Sequence, residues 1–338
     1  MRFAKLHGLG NSYVYLDLVS QPLQDGHGID WPELARRVSD PGFGIGSDGL
    51  ILILPSARAD LRMRMFNADG SEGEMCGNGI RALARYAADA GLIQGNRLRI
   101  ETPAGVLPLE LDRRGGTVTA VRVDMGEPRL RRSEIPIVLP PPAWETGARP
   151  AALPSPDPAA GRAARKGLPG MAPAGMGPEQ DGPVIDQPLP VGGRVCRVTA
   201  VSMGNPHCVL LVDDVDQAPV QTLGPQVETH AAFPRGVNVE FVQVMDPANV
   251  RMRVWERGSG ETNACGTGAC AAAVAAALLH RTGRRVSVHM RGGQLDIEWA
   301  PDNHVYMSGP CEPICFGELS AEWLRARLPR VGRDSKRH

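Results

Sequence analysis

Two short passages of the chain, Met75-Cys76-Gly77-Asn78-Gly79 and Ala264-Cys265-Gly266-Thr267-Gly268, each place a cysteine at the mouth of an apolar, alanine-rich run. A thiol at a helix N-terminus sits beside unpaired backbone N–H groups and the positive end of the helix dipole, and both favour its thiolate. One such passage is a weak signal, because a lone Cys-Gly-x-Gly is more often a turn beside a buried thiol. Two copies with matched downstream helices reverse that reading. Two thiols on opposite sides of one carbon suit a reaction in which one group removes a proton and the other returns one to the opposite face, inverting a stereocentre. A carbon acid beside a carboxylate is very weak, so the site must exclude water and hold the developing charge with preorganised donors. The thiols must also occupy different protonation states at one pH, titrating as a coupled unit.

The loops leading to the cysteines extend the case. Asn67-Ala68-Asp69-Gly70-Ser71-Glu72-Gly73-Glu74 precedes the first, with glycines that let backbone approach a ligand and N–H groups ready to bind a carboxylate. Glu256-Arg257-Gly258-Ser259-Gly260-Glu261-Thr262-Asn263 precedes the second and adds an arginine suited to bidentate carboxylate recognition.

The positioning elements are mostly strands. Short apolar stretches at 13–19, 50–54, 61–66, 98–101 and 118–123 read as strands. A helix is expected near 32–38, with Asp30 as a candidate N-cap, and another from Gly77 to Ala90, stopped by Gly91. Strand signals resume at 194–203, 208–212, 237–244 and 250–255, before Cys265 and its helix, so the order of elements repeats. Further strands are expected at 286–290, 295–299 and 306–310, with a last short helix near Ala321. Between Pro140 and Pro183 fall 11 of the chain's 30 prolines, among Ala, Gly and Ser. That range is expected to be a disordered insertion without chemistry, and 328–338 a frayed basic tail.

Composition narrows the function. The 338 residues suffice for two domains, and 37 basic against 37 acidic residues give no overall pull toward nucleic acid or anionic membrane. The longest apolar run, Ala269–Leu279, has 11 residues, against the roughly 20 of a membrane-spanning helix. No export signal is read at the N-terminus, so a cytoplasmic protein with reduced thiols and a small-molecule substrate is expected. The seven cysteines show no Cys-x-x-Cys spacing, so no metal site is expected; Cys196, Cys208, Cys270, Cys311 and Cys315 read as small buried hydrophobes.

Seven motifs carry a resemblance: His7-Gly8-Leu9-Gly10-Asn11, Gly44-Ile45-Gly46-Ser47-Asp48-Gly49, Asn67-Ala68-Asp69-Gly70, Met75 to Arg81, Gly204-Asn205-Pro206-His207, Asn238-Val239-Glu240-Phe241, and Glu256-Arg257-Gly258 with Ala264 to Gly268. In this order, and covering nearly everything outside the insertion, they are similar to diaminopimelate epimerases. The resemblance implies an α/β fold of two pseudo-symmetric domains, each a mixed or antiparallel sheet around a central helix. These are 1–123 with about 309–327, carrying Cys76, and 124–308, carrying Cys265. It implies a cofactor-independent isomerase interconverting LL- and meso-diaminopimelate for lysine and peptidoglycan synthesis, acting as a homodimer. Cys265 would be the base toward the LL isomer and Cys76 the acid. Gly77, Asn78, Gly266 and Thr267 would offer backbone donors to the reacting carboxylate; Asn11, Asn67, Asn205, Asn238 and Arg257 would hold the rest of the substrate. His207 and Glu256 match positions that tune the thiols, Glu256 being counted with the substrate-binding set as well. Two positions depart from the pattern: Gly49 stands where many members carry glutamine, and Cys315 where an aromatic near the dimer contact is usual.

Three rivals share part of this signature. Another two-cysteine racemase, acting on proline derivatives, would use the same chemistry without the asparagine-rich set. A redox switch would pair the two cysteines, against which the absence of Cys-x-x-Cys weighs. A binding module would only capture a small dicarboxylate between helix ends.

Overall fold

The computed structural model describes residues 1–22, 29–73, 75–139 and 181–327. The proline-rich range up to residue 180, the tail at 328–338, His27 and His338 lie outside the described residues. The end of the proline-rich range is inside: Asp181 accepts from the Ser133 amide and hydroxyl, each at 2.8 Å, and Pro183 bridges to Arg131. The chain divides into two compact units, Met1–Asp124 with Ser308–His338, and Met125–Met307.

In the first unit β1 (Arg2–Gly8) and β2 (Asn11–Asp17) form an antiparallel hairpin. Its two-residue turn, Leu9 and Gly10, has φ of 57° and 83°, the conformation whose twist matches paired strands, and it delivers Asn11 as the first residue of β2. Helix α1 (Trp31–Ser39) carries the chain to β3 (Gly49–Leu54), parallel to β2. Asp30 caps α1 as expected, accepting from the Glu33 amide at 3.0 Å, and Leu34, Ala35 and Val38 pack on Val14, Leu50, Leu52 and Phe66. β4 (Leu61–Asn67) returns antiparallel and is flanked by the two-residue β5 (Glu72–Gly73). Helix α2 (Gly77–Asp89) then leads to β6 (Arg97–Thr102), parallel to β4, and β7 (Gly105–Arg114) and β8 (Thr117–Asp124) continue antiparallel.

The second unit opens with β9 (Gln187–Val191), paired to β10 (Arg194–Ser202). From β10 the first unit's order repeats. β11 (Pro206–Leu211) is antiparallel to β10, and helix α3 (Val220–Glu228) crosses to β12 (Asn238–Asp246), parallel to β11. β13 (Asn249–Glu256) returns antiparallel with β14 (Gly260–Thr262) beside it, and helix α4 (Gly266–Leu278) crosses to β15 (Arg285–Met290), parallel to β13. β16 (Gly293–Trp299) and β17 (Val305–Gly309) complete the run; the chain re-enters the first unit, where β18 (Glu312–Glu318) pairs with β1 before α5 (Ala321–Arg327).

Each unit wraps its sheet around one helix. α2 packs against β1, β2, β7 and β8; α4 packs against β10 to β13, β15 and β16. A helix covered on nearly every side must be apolar all round and slender, which explains the run of fully buried alanines in α4. In α2 the wholly buried Leu83 anchors the same packing; truncation to alanine is worth about 2–5 kcal/mol.

Two elements depart from expectation. Helix α3 has Gly224 and Pro225 in its interior and was not expected, because propensity opposes it. Packing overrides propensity: a Cβ on Gly224 would lie 2.7 Å from the Trp255 side chain, and Trp255 Nε1 donates to Glu228 Oε2 at 2.7 Å. Cys315 is exposed rather than buried, since β18 turns Ile314, Cys315 and Phe316 all toward solvent.

Candidate active site

Both cysteines are the N-cap residues of helices, in the same backbone conformation. Cys76, at φ −133° and ψ 115°, precedes α2, and Cys265, at φ −126° and ψ 115°, precedes α4. An extended residue followed by glycine places each sulfur over the first turn of unpaired N–H groups. The Gly79 amide donates to Cys76 Sγ at 3.3 Å.

Around Cys76 the first unit gathers Asn11, Tyr13, Asn78 and Arg81. The Cys76 thiol and Asn78 Nδ2 both reach Asn11 Oδ1 at 3.4 Å, and Asn11 Nδ2 donates to Asp48 Oδ2 at 3.0 Å. Arg81, fully buried, donates to the Gly77 carbonyl at 3.1 Å and to Asn78 Oδ1 at 2.8 Å, fixing the first turn of α2 from behind. Burial and then the neighbouring Cys76 push the Tyr13 hydroxyl well above its ordinary pKa, so it is a neutral donor beside the sulfur. Asn67 makes a different contact, its Nδ2 donating to Ser71 Oγ at 2.9 Å.

The second unit builds a different surrounding on the same frame. Cys265 Sγ lies 3.5 Å from Thr267 Oγ1, which accepts from Asn205 Nδ2 at 3.3 Å; Asn205 Oδ1 is 3.0 Å from His207 Nε2. His207 Nδ1 is 2.6 Å from Glu240 Oε1, and both side chains are wholly buried. Glu256 accepts from the Thr262 hydroxyl at 2.5 Å. Burial, then the carboxylates of Glu256 and Glu240, raise the Cys265 thiol well above its ordinary pKa, against smaller lowering contributions from the Thr267 hydroxyl and the Gly268 amide. Asn238 braces backbone, donating to the Pro206 carbonyl at 3.1 Å and accepting from the Arg257 amide at 2.9 Å. The Arg257 side chain donates to the Arg235 carbonyl at 2.9 Å.

The strand registers make the two surroundings equivalent. Val14 lies opposite Leu50 and Gly49 opposite Asn67 in one unit; His207 lies opposite Asn238 and Val239 opposite Trp255 in the other. Stepping along these registers, Asn11 corresponds to Asn205, Tyr13 to His207, Gly49 to Asn238, Ile51 to Glu240 and Asn67 to Glu256. A Cβ on Gly79 would meet Ile51 Cδ1 at 2.6 Å, and one on Gly268 would meet Glu240 Oε1 at 2.8 Å, so the same place beneath each helix start is apolar in one unit and acidic in the other.

Sequence reasoning assigned no role to Tyr13, Asp48, Arg81 or Glu240. Glu240 did carry a signal, as a single acidic residue inside the apolar run from Val237 to Val244.

The family model for diaminopimelate epimerase matches residues 3–131 and 199–314. The chain is 49% identical to the diaminopimelate epimerase of Pelotomaculum thermopropionicum over 94% of its length and 98% of the relative's. It is 50% identical to that of Moorella thermoacetica over 94% and 99%. Among solved structures, a phenazine biosynthesis protein of the PhzF family from Bacillus anthracis superimposes with a TM-score of 0.61 at 13% identity, covering 95% of this chain and 99% of that one. A probable proline racemase from Agrobacterium radiobacter gives 0.58, also at 13%, covering 95% and 93%. These two share the fold, whereas the sequence matches carry the assignment. The mixed, sheet-dominated α/β architecture repeated in both units is the one expected, and the chain belongs to the diaminopimelate epimerase family.

Proposed function

We propose that the chain interconverts LL- and meso-diaminopimelate by two-base proton transfer. The observation that carries this reading is the repetition, in each unit of a member of this family, of one helix start with cysteine as its N-cap residue and a different titrating environment behind it. In the LL-to-meso direction the Cys265 thiolate takes the α-proton, and the electron pair left on carbon delocalises into the adjacent carboxylate. N–H groups of Gly77, Asn78, Gly266 and Thr267 receive that charge, and the Cys76 thiol delivers its proton to the opposite face. The reverse direction exchanges the roles. Asn11, Asn67, Asn205, Asn238, Glu256 and Arg257 orient the remaining polar groups, asparagine being suited because it both donates and accepts. His207 and Glu256 set the proton affinity of the thiols. Tyr13 joins them on the Cys76 side.

We further infer that residues 1–123 with 309–327 and residues 124–308 are the two epimerase domains, and that the enzyme is a cytoplasmic homodimer. Among the described residues no helix is long and apolar enough to cross a membrane.

The test is incubation with LL-diaminopimelate in deuterated water, with proline in parallel. Deuterium is expected at the α-carbon of newly formed meso isomer, with proline unchanged. Absence of both exchange and meso product would overturn the reading, and exchange into proline alone would transfer the protein to the proline-type racemases.

A further inference from the structure

Glu240 lies on β12 with no exposure, and its Oε2 has no hydrogen-bond partner among the described residues. Its Oε1 is 2.6 Å from His207 Nδ1 and lies directly beneath the first turn of α4, where a Cβ on Gly268 would come within 2.8 Å. A buried carboxylate with an idle oxygen is costly, and the equivalent position in the first unit is filled by Ile51. Something other than packing explains the acid.

We propose that Glu240 is a positioning residue that orients a hydrogen-bond chain, Glu240–His207–Asn205–Thr267, so that its last hydroxyl donates to the Cys265 sulfur. Asn205 Nδ2 donates to Thr267 Oγ1 at 3.3 Å, so the amide oxygen, an acceptor only, faces His207 Nε2; Nε2 must therefore carry a hydrogen, with the proton shared at 2.6 Å on Glu240 or on His207 Nδ1. Nε2–H donates to Asn205 Oδ1 at 3.0 Å. Thr267 Oγ1, already accepting, turns its own hydrogen to Cys265 Sγ at 3.5 Å. Every link donates toward the sulfur and stabilises its thiolate. In either proton arrangement the Glu240–His207 pair is neutral overall, so the chain adds a donor without adding net charge. The ionisable groups facing this pair and the sulfur are Cys208 from β11, Glu256 from the end of β13 and Cys265 itself at the head of α4.

This rests on the reading of Cys265 as a proton-transferring thiol, but its test does not depend on turnover. The rate of alkylation by iodoacetamide, followed by peptide mass spectrometry against pH, reports each thiolate separately in one sample. In Glu240→Gln the pair stays neutral, yet glutamine can also accept from Nδ1–H, which strips Nε2 of its proton and reverses the chain. The Cys265 profile is expected to move to higher pH by about one unit or more, the scale of one lost hydrogen bond to a charged group. The Cys76 profile should stay in place and serve as the internal control of folding. Because Glu240 acts through His207, the E240Q/H207Q double variant should match H207Q alone. A Cys265 profile that is unmoved or moves to lower pH, or a Cys76 profile that shifts alongside it, overturns the proposal. Should E240Q fail to fold, nitrogen NMR of the wild-type imidazole decides: a hydrogen on His207 Nε2 supports the chain, and a bare Nε2 sinks the idea.

Discussion

Alanine at Cys265 or at Cys76 is expected to lower epimerisation by about 10²–10⁴-fold, the scale of removing one positioned general acid or base. A two-base mechanism makes a sharper demand than loss of rate. With Cys265 replaced, Cys76 can still remove the α-proton of the meso isomer and return solvent deuterium to the same face, so slow exchange without inversion should survive for meso and vanish for LL. Cys76→Ala should show the mirror result. Symmetric residual exchange in either variant would mean that a single base serves both faces, contrary to the assignment. The double variant should fall little below either single one, because neither thiol accomplishes inversion alone. Structural damage separates cleanly from this effect. Cys76 Sγ accepts from the Gly79 amide, so its loss costs α2 a cap worth about 0.5–2 kcal/mol. Such a change lowers the unfolding midpoint but cannot select one isomer over the other.

The thiols were legible in the sequence because a helix cap is a local device: extended cysteine, glycine, apolar run. Asp30 as the cap of α1 was legible for the same reason. The sheet frame could be read only in part. Strands β1, β5, β7, β9, β14 and β18 went unmarked, and α3 was hidden by Gly224 and Pro225, the glycine packing on a tryptophan 31 residues further on in β13. What the sequence could not expose was the equivalence of Tyr13 with His207 and of Ile51 with Glu240. That equivalence is a property of strand register, set by long-range pairing, and alternation along one strand says nothing about which residue of another it will face. The resemblance supplied His207 and Glu256 as tuning groups. The structure adds the buried carboxylate behind the histidine and the neutral phenol behind the other thiol.

Glutamine placed at position 49 is expected to make this protein unfold more readily, not to add a contact. Gly49 opens β3 opposite Asn67, and a Cβ built there would collide with the Phe66 carbonyl oxygen and lie 2.9 Å from Tyr13 Cε1. The obstacle on one side is backbone of a paired strand, which cannot yield without breaking the β3–β4 ladder; on the other it is the ring whose hydroxyl serves Cys76. Any longer side chain must therefore displace both the Phe66 backbone of β4 and the Tyr13 ring. Overpacking and lost pairing together predict a penalty of about 2–4 kcal/mol for Gly49→Gln. Denaturant titration should show the midpoint falling with the slope unchanged. Trimming the ring in a G49Q/Y13A double variant should recover little, because the carbonyl remains in place. A fully stable G49Q enzyme with a lower KM for diaminopimelate would show instead that β3 can reseat, and that glycine here is only a vacant substrate contact. The distinction matters for the chemistry: with glycine fixed by its neighbours, the Cys76 environment is closed by Tyr13, and the difference between the two thiols is built into the strands before any substrate arrives.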